Sequence, residues 1–316
     1  MLNETITKNA KAFRHNYGRA FLAAQDWTDD DVTIFTQVKD EAKYLLEWIA
    51  YGLTQKFTRF VIFNNGSKDG TTEMLSKLAA HGQCVHIPWP TLDQDESAQL
   101  ASYDLMVETA KDGVLKGWLC VMDCDEFFVF HKHNDVVSFL QDYPEASAIA
   151  INWLMYGSAG KIEEEEGLVV ERFTKRSKVA FPPNRHTKSF MRADKLIGHF
   201  RNSHFFKVSE PDKYLFPDRS VFPGRFSFTD NSIPVGNTPE NFEIVQMNHY
   251  AVKSKNEWLV KRVKGRGTRA ATDEKQILEF GHFTMHDKND VEDPCARNLI
   301  PTFAEKLEEL RAIVRE

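Results

Sequence analysis

Apolar and polar positions fall into a regular alternation from residue 32 onward. Val32-Thr33-Ile34-Phe35-Thr36-Gln37-Val38 is β-branched and apolar and predicts a buried strand. Asp40 is placed to cap the helix after it. Ala42, Leu45, Leu46, Ile49, Ala50 and Leu53 then recur with the spacing of one helical face. A second strand, Phe60-Val61-Ile62-Phe63, runs into the turn cluster Asn64-Asn65-Gly66-Ser67-Lys68-Asp69-Gly70. Met74, Leu75 and Leu78 mark a helix, Cys84–Ile87 a short strand, and Leu100, Leu105 and Met106 another helix. The strand Trp118–Met122 ends in Asp123-Cys124-Asp125-Glu126. Strands and helices in this alternation predict an α/β fold: a mostly parallel sheet covered by helices on both faces. Right-handed crossovers would gather the strand-to-helix loops at the carboxyl edge, where such sheets bind ligands.

The flanks read differently. Residues 1–31 are polar, end in Asp29-Asp30-Asp31 and suggest an N-terminal arm outside the core. Residues 32–146 form the regular half. From about 147 the pattern becomes irregular α+β, with short apolar runs (148–151, 168–170) between Gly-, Pro- and charge-rich loops. Pro211, Pro217, Pro223, Pro234 and Pro239 predict an irregular segment over 209–240. Helical character returns at 257–263 and 303–314, so 147–266 and a helical 267–316 complete the division.

Composition narrows the class. With 316 residues, 42% hydrophobic, the chain can bury a large core, and disorder is excluded. The net charge of −6 argues against a general nucleic-acid binder. Four scattered cysteines without CxxC spacing suggest a reducing compartment. The opening residues lack the apolar run of a signal peptide, and no stretch approaches a membrane span. The expected setting is cytoplasmic, with peripheral membrane association left open.

Asp123-Cys124-Asp125 carries the chemistry. Two carboxylates leaving an apolar strand together repel unless a cation or solvent compensates them, and hard divalent ions such as Mg²⁺ and Mn²⁺ seek oxygen ligands shared with phosphates. A solvated strand-end turn is the plainer alternative. The Lys39-Asp40-Glu41 and Asn64–Thr71 loops should lie on the same edge, where amide side chains can read a base and helix N-termini favour anions; helix capping by Ser67 and Asp69 would also account for them. Residues 253–269 hold seven Lys or Arg against one Glu; an amphipathic helix with solvated charges explains most, while Lys253, Lys261 or Arg262 could line a phosphate site. His131 and His133 suggest surface residues more than a second metal pair, and His199 and His204 structural histidines.

Several ordered motifs resemble the nucleotide-binding half of a GT-A glycosyltransferase of the family 2-like and family 92-like branch. They are the run from Lys39-Asp40-Glu41 through Glu47-Trp48, Asn64–Thr71, Gln99 with Tyr103, Asp123-Cys124-Asp125-Glu126-Phe127, Asn152–Gly160 and Asn248–Ser254. The resemblance implies a GT-A fold and a Mn²⁺ or Mg²⁺ ion held by Asp123, Asp125 and His249. It implies a nucleotide-sugar donor, UDP-linked, contacted by Val38, Asp40, Glu41, Asn64, Asn65, Gln99, Tyr103, Asp123 and Lys253. Trp153, Tyr156, Gly157 and Ser158 would shape the site of a glycan acceptor. Many members have Asp where this chain has Asn64-Asn65, which leaves the preference for uridine open. Inverting transfer needs a base, for which Glu163–Glu166, Asp218, Asp230 and His204 are all placed in suitable loops. The activity expected is transfer into a surface polysaccharide. The rivals are a nucleotidyltransferase, which lacks its Gly-rich signature here, a HAD-type phosphohydrolase, whose acids would sit on the first strand, and a non-catalytic carbohydrate binder.

Overall fold

The computed structural model describes residues 2–223, 239–265, 267, 269–270, 272–274 and 277–316. Asp230, Pro234 and Arg266 lie outside the described residues. The first half contains helix α1 (Leu2–Ala23), strand β1 (Val32–Val38), α2 (Ala42–Thr54), β2 (Arg59–Asn64), α3 (Thr71–Ala80), β3 (Val85–Pro88), α4 (Ala98–Lys111) and β4 (Trp118–Val121). It continues through β5 (Glu126–Phe130), α5 (Val136–Gln141), β6 (Ala148–Met155), α6 (Val169–Arg172) and β7 (Lys175–Arg176). Strands β8 (Thr187–Arg192), β9 (Leu196–His199), β10 (Phe206–Val208) and β11 (Tyr214–Leu215) come next. The chain closes with α7 (Pro239–Ile244), β12 (Val245–His249), α8 (Lys255–Lys264), α9 (Phe280–His286), β13 (Val291–Glu292) and α10 (Ile300–Arg315).

The main sheet has the order β3-β2-β1-β4-β8-β6-β12-β5, with β11 beside β6. β1 to β4 run parallel, β8 opposes both β4 and β6, and β12 runs parallel to β6 but antiparallel to β5. The expected α/β fold with a largely parallel sheet is therefore present. Strands from beyond residue 147 belong to that same sheet rather than to a separate one.

Period-two burial explains the two layers. Ile34, Phe60, Ile62, Cys120, Ile149 and Phe190 enter one core with α2, α5 and α10. Their neighbours Phe35, Val61, Phe63, Leu119, Val121 and Met191 enter the other, with α4 and Leu22 of α1. With both faces covered, the strands need no polar side, which is why they read as continuous apolar runs.

Two expectations change. The first thirty residues are not an arm: α1 lies along α4, with Arg14 paired to Glu96 at 2.6 Å, Arg19 to Glu108 at 2.8 Å, and Leu22 and Trp27 buried. Its polar reading came from an outer face that stays in water. Asp40 does not cap α2, because it takes φ 55° and its carboxylate accepts the Lys68 N–H at 2.6 Å. The start of α2 is capped instead from the next loop: Asp69 Oδ2 accepts the Ala42 N–H at 3.0 Å and Thr71 Oγ1 the Glu41 N–H at 2.9 Å.

Candidate active site

β4 ends at the carboxyl edge, and Met122 N–H donates to the Phe35 carbonyl at 3.1 Å, holding the departing chain against β1. A tight turn comes next, closed by Glu126 N–H to Asp123 O at 3.1 Å, and leads directly into β5. β5 pairs with β12 in a register that sets Glu126 opposite His249, and the Tyr250 N–H donates to Asp125 O at 2.8 Å. Sheet pairing thus carries His249 to Asp125 across 124 positions of sequence.

Asp125 is almost wholly buried. Its Oδ2 accepts a hydrogen bond from Lys261 Nζ, and its Oδ1 lies 3.6 Å from His249 Nε2. Burial alone would raise this carboxyl, yet Lys261 and His249, with Lys253 beyond, hold it well below the usual range. Burial lowers His249 despite Asp125, so the imidazole is neutral, and its Nδ1 is buried with no partner among the described residues. A carboxylate oxygen facing a neutral imidazole nitrogen suits a divalent ion: ligands with bonds of ~2.1 Å lie ~3 Å apart when adjacent. Among the described residues no three His, Cys, Asp or Glu side chains converge on one point, so an ion here would have Asp125 and His249 as its protein ligands and would need further oxygens from elsewhere.

Asp123 has a different setting. Its Oδ2 accepts from Lys188 Nζ at 2.8 Å, its Oδ1 from Gln99 Nε2 at 3.3 Å, and its N–H donates to Glu126 Oε2 at 2.8 Å. Lys188 also lies 3.2 Å from Glu126 Oε2, and both side chains are fully buried. Burial opposes the Lys188 charge, but Asp123 and Glu126 outweigh it, so the ammonium persists. Tyr103 is buried beneath, close enough for Asp123 to influence its hydroxyl. Sequence reasoning missed Lys188: a lone lysine within Thr187-Lys188-Ser189-Phe190 gives no sign that it points into the interior.

The loops expected at the nucleoside end do lie together, though largely bound to each other. Val38 O accepts the Asn65 N–H at 2.9 Å. Asn64 Oδ1 accepts Ser67 Oγ at 2.7 Å and its Nδ2 donates to Thr72 Oγ1 at 2.8 Å, while Asn65 Oδ1 accepts the Thr91 N–H at 2.7 Å. These amide oxygens build the turn. Lys264 of α8 donates to Asp40 O and Glu41 Oε1, both at 2.7 Å, fixing the basic helix along this edge. Lys253, at φ 54° and buried, lies 4.3 Å over the Tyr44 ring. Arg262 turns away to the Leu278 carbonyl.

Of the residues expected on the acceptor side, Trp153 packs its ring against the Asp125 cluster, while Tyr156 meets it through its backbone, its N–H donating to the His249 carbonyl at 3.0 Å. The Trp153 ring centroid lies 4.1 Å from that of His249, and His186 and His204 flank it at 4.8 and 4.9 Å. Tyr156, Gly157 and Ser158 sit under the segments on either side of β13. Tyr156 Oη donates to Asp293 O at 3.2 Å and the Ser158 N–H to Asp287 Oδ1 at 2.7 Å. A Cβ at Gly157 would collide with the Lys288 carbonyl and the Asn289 side chain. His131 and His133 diverge, to Gln246 and Asp142. Glu163 and Glu165 bond to Asn256 and Lys161 at the surface, and Asp218 to Ser220. A cavity of about 210 Å³ between α2, α6 and α10 is lined by Glu164, Glu165 and Glu166 of the candidate bases, and by none of the residues expected to hold the donor, the metal or the acceptor.

Fold and site define an α/β protein whose strand edge gathers two acids, a histidine and several lysines at the ends of β4 and β12. The chain belongs to glycosyltransferase family 92, whose family description, Glycosyltransferase family 92, matches residues 32–277. A family 92 protein of Oryza sativa subsp. japonica is 26% identical over 187 residues, 58% of this chain and 30% of that protein. One from Ricinus communis is 28% identical over 193 residues, 57% and 32% of the two. The chain therefore spans about a third of the length of the curated relatives it matches. Among solved structures, S. aureus TarS 1–349 in complex with UDP has a TM-score of 0.32 at 12% identity over 52% of this chain and 47% of that one, too slight a likeness to bear on fold.

Proposed function

We propose that this chain is a metal-dependent, inverting glycosyltransferase that moves a sugar from a nucleotide-sugar, UDP-linked, to a glycan acceptor. Membership of family 92 supports the reaction class, and the Asp125–His249 pair is the observation that carries the metal dependence. Asp125 and His249 would hold Mn²⁺ or Mg²⁺, which when bound offsets the negative charge that develops on the departing diphosphate. Lys261, with Lys253 beyond it, adds positive charge beside Asp125. Gln99 and Lys188 hold Asp123 still, so its carboxylate stays aligned for a donor hydroxyl or the ion. Trp153 supports the acceptor side through its buried Nε1–H, which has no partner among the described residues. A surface polysaccharide as acceptor rests on family analogy alone.

Asp125→Asn should lower Mn²⁺-dependent release of UDP from a panel of UDP-sugars by about 100-fold or more, the scale of losing one transition-state charge contact. Its thermal unfolding should stay near that of the unaltered protein. Full turnover in that variant would remove the metal assignment.

A further inference from the structure

We propose that Lys261 is a resident counter-ion of Asp125 that a divalent ion displaces, after which the same ammonium serves the donor diphosphate. The inference rests on the metal-dependent reading above and gives it an order of events. Both acids of the Asp-Cys-Asp turn carry a lysine, but the two lysines differ in kind. Lys188 is fully buried on a central strand and shared between Asp123 and Glu126, so it has nowhere to go. The Lys261 side chain keeps about a third of its surface in solvent, rises from a helix at the rim, and touches Asp125 Oδ2 and the Ala251 carbonyl at 3.0 Å. A long flexible lysine stem at a rim can rotate its charge into water at little cost.

The contact falls on the carboxylate that also faces His249. Asp125 Oδ1 is 3.6 Å from His249 Nε2, while the Lys261 ammonium lies on Oδ2. An ion entering between Asp125 and His249 brings two positive charges to a carboxylate that already has one, and Coulomb repulsion between cations a few ångströms apart favours departure of the mobile one. The rest of α8 is held while this happens. Ser254 and Glu257 form its capping box, Glu257 is clamped by Arg172 at 2.9 and 3.0 Å, and Lys264 is fastened to Asp40 and Glu41 at the far end. Only the side chain needs to move. The displaced ammonium stays tethered beside the loops at the β1 and β4 ends, where a diphosphate bound to the ion would lie.

Competition and recruitment have opposite signs in one variant. Lys261→Met keeps the stem and removes the charge. Titration calorimetry with Mn²⁺ alone should show at least fivefold tighter binding than in the unaltered protein, because no ammonium competes. Titration with UDP at saturating Mn²⁺ should show at least fivefold weaker binding, because a phosphate partner is gone. A structural role for Lys261 would weaken both together, and that result, or two unchanged constants, overturns the exchange. Lys261→Arg provides the conservative control and should restore UDP binding to within about threefold; failure to do so counts against recruitment. If the unaltered protein binds Mn²⁺ and UDP normally while the variant shifts both constants alike, the exchange alone fails. If the unaltered protein binds neither, the metal-dependent reading fails with it.

Discussion

Lys188 shows what one residue can decide. It is the one cation at ion-pair distance from Glu126 among the described residues, a carboxyl that burial nonetheless pushes up to about 8, and the same ammonium anchors Asp123. Removing Lys188 leaves Asp123 without its cation and Glu126 to take up a proton, at a cost of up to about 3–5 kcal/mol. Lys188→Met should therefore lose stability on that scale in urea unfolding. Adding Glu126→Gln should recover most of the loss while Asp123 remains without its anchor. Recovery smaller than a third of the loss would show that the lysine stabilises by packing instead. None of this is legible from composition, because a buried lysine and a solvated one look alike in sequence. Asp123 and Asp125 were legible as paired acids at the end of an apolar strand, and His249 only through the resemblance of its motif to the family's.

At the scale of elements, α6 is four residues long and depends on a side chain from α2. Glu47 accepts the Val169 N–H at 2.8 Å and the Val170 N–H at 3.1 Å, capping a turn 122 positions away. Burial pushes the Glu47 carboxyl up to about 7 from 4.5, against the pull of those N–H groups, Arg172 and Lys253. A carboxyl raised in the folded state binds more protons folded than unfolded between those two values, so its contribution is full below pH ~4.5 and fades as pH rises through ~7. Glu47→Gln keeps an acceptor for the turn and removes the titration. The fall in Tm between pH 5 and pH 7.5 should be shallower in that variant; an identical slope would assign the pH dependence to other groups. The apolar run 168–170 showed that something buried lies there. A helical turn held by a distant glutamate could not be read from the run itself.

In the whole molecule, the last helix closes over the first half. Phe303, Leu307 and Leu310 of α10 are buried in the core that also holds α2 and α3, and Tyr51 meets Phe303 at 5.4 Å. Leu310→Ala should cost about 2–5 kcal/mol, as buried leucine truncations do, and lower Tm without changing the Mn²⁺ affinity of the folded protein. A coupled loss of affinity would tie the distant helix to the site. The same closure brings Asp287, Lys288 and Asn289 over Gly157 and Ser158, which turns residues expected to meet an acceptor into a buried floor. The sequence by itself determined the alternation of strands and helices, the helical face of α2, and the acids at the end of β4, because period and residue chemistry are local properties. Tertiary structure alone decided that His249 meets Asp125, that Lys188 and Lys261 divide the two aspartates between them, and that α1 is part of the body. Each of these arises from strand register and helix docking across 65 to 136 residues, and no local pattern records which distant charge a buried carboxylate will find.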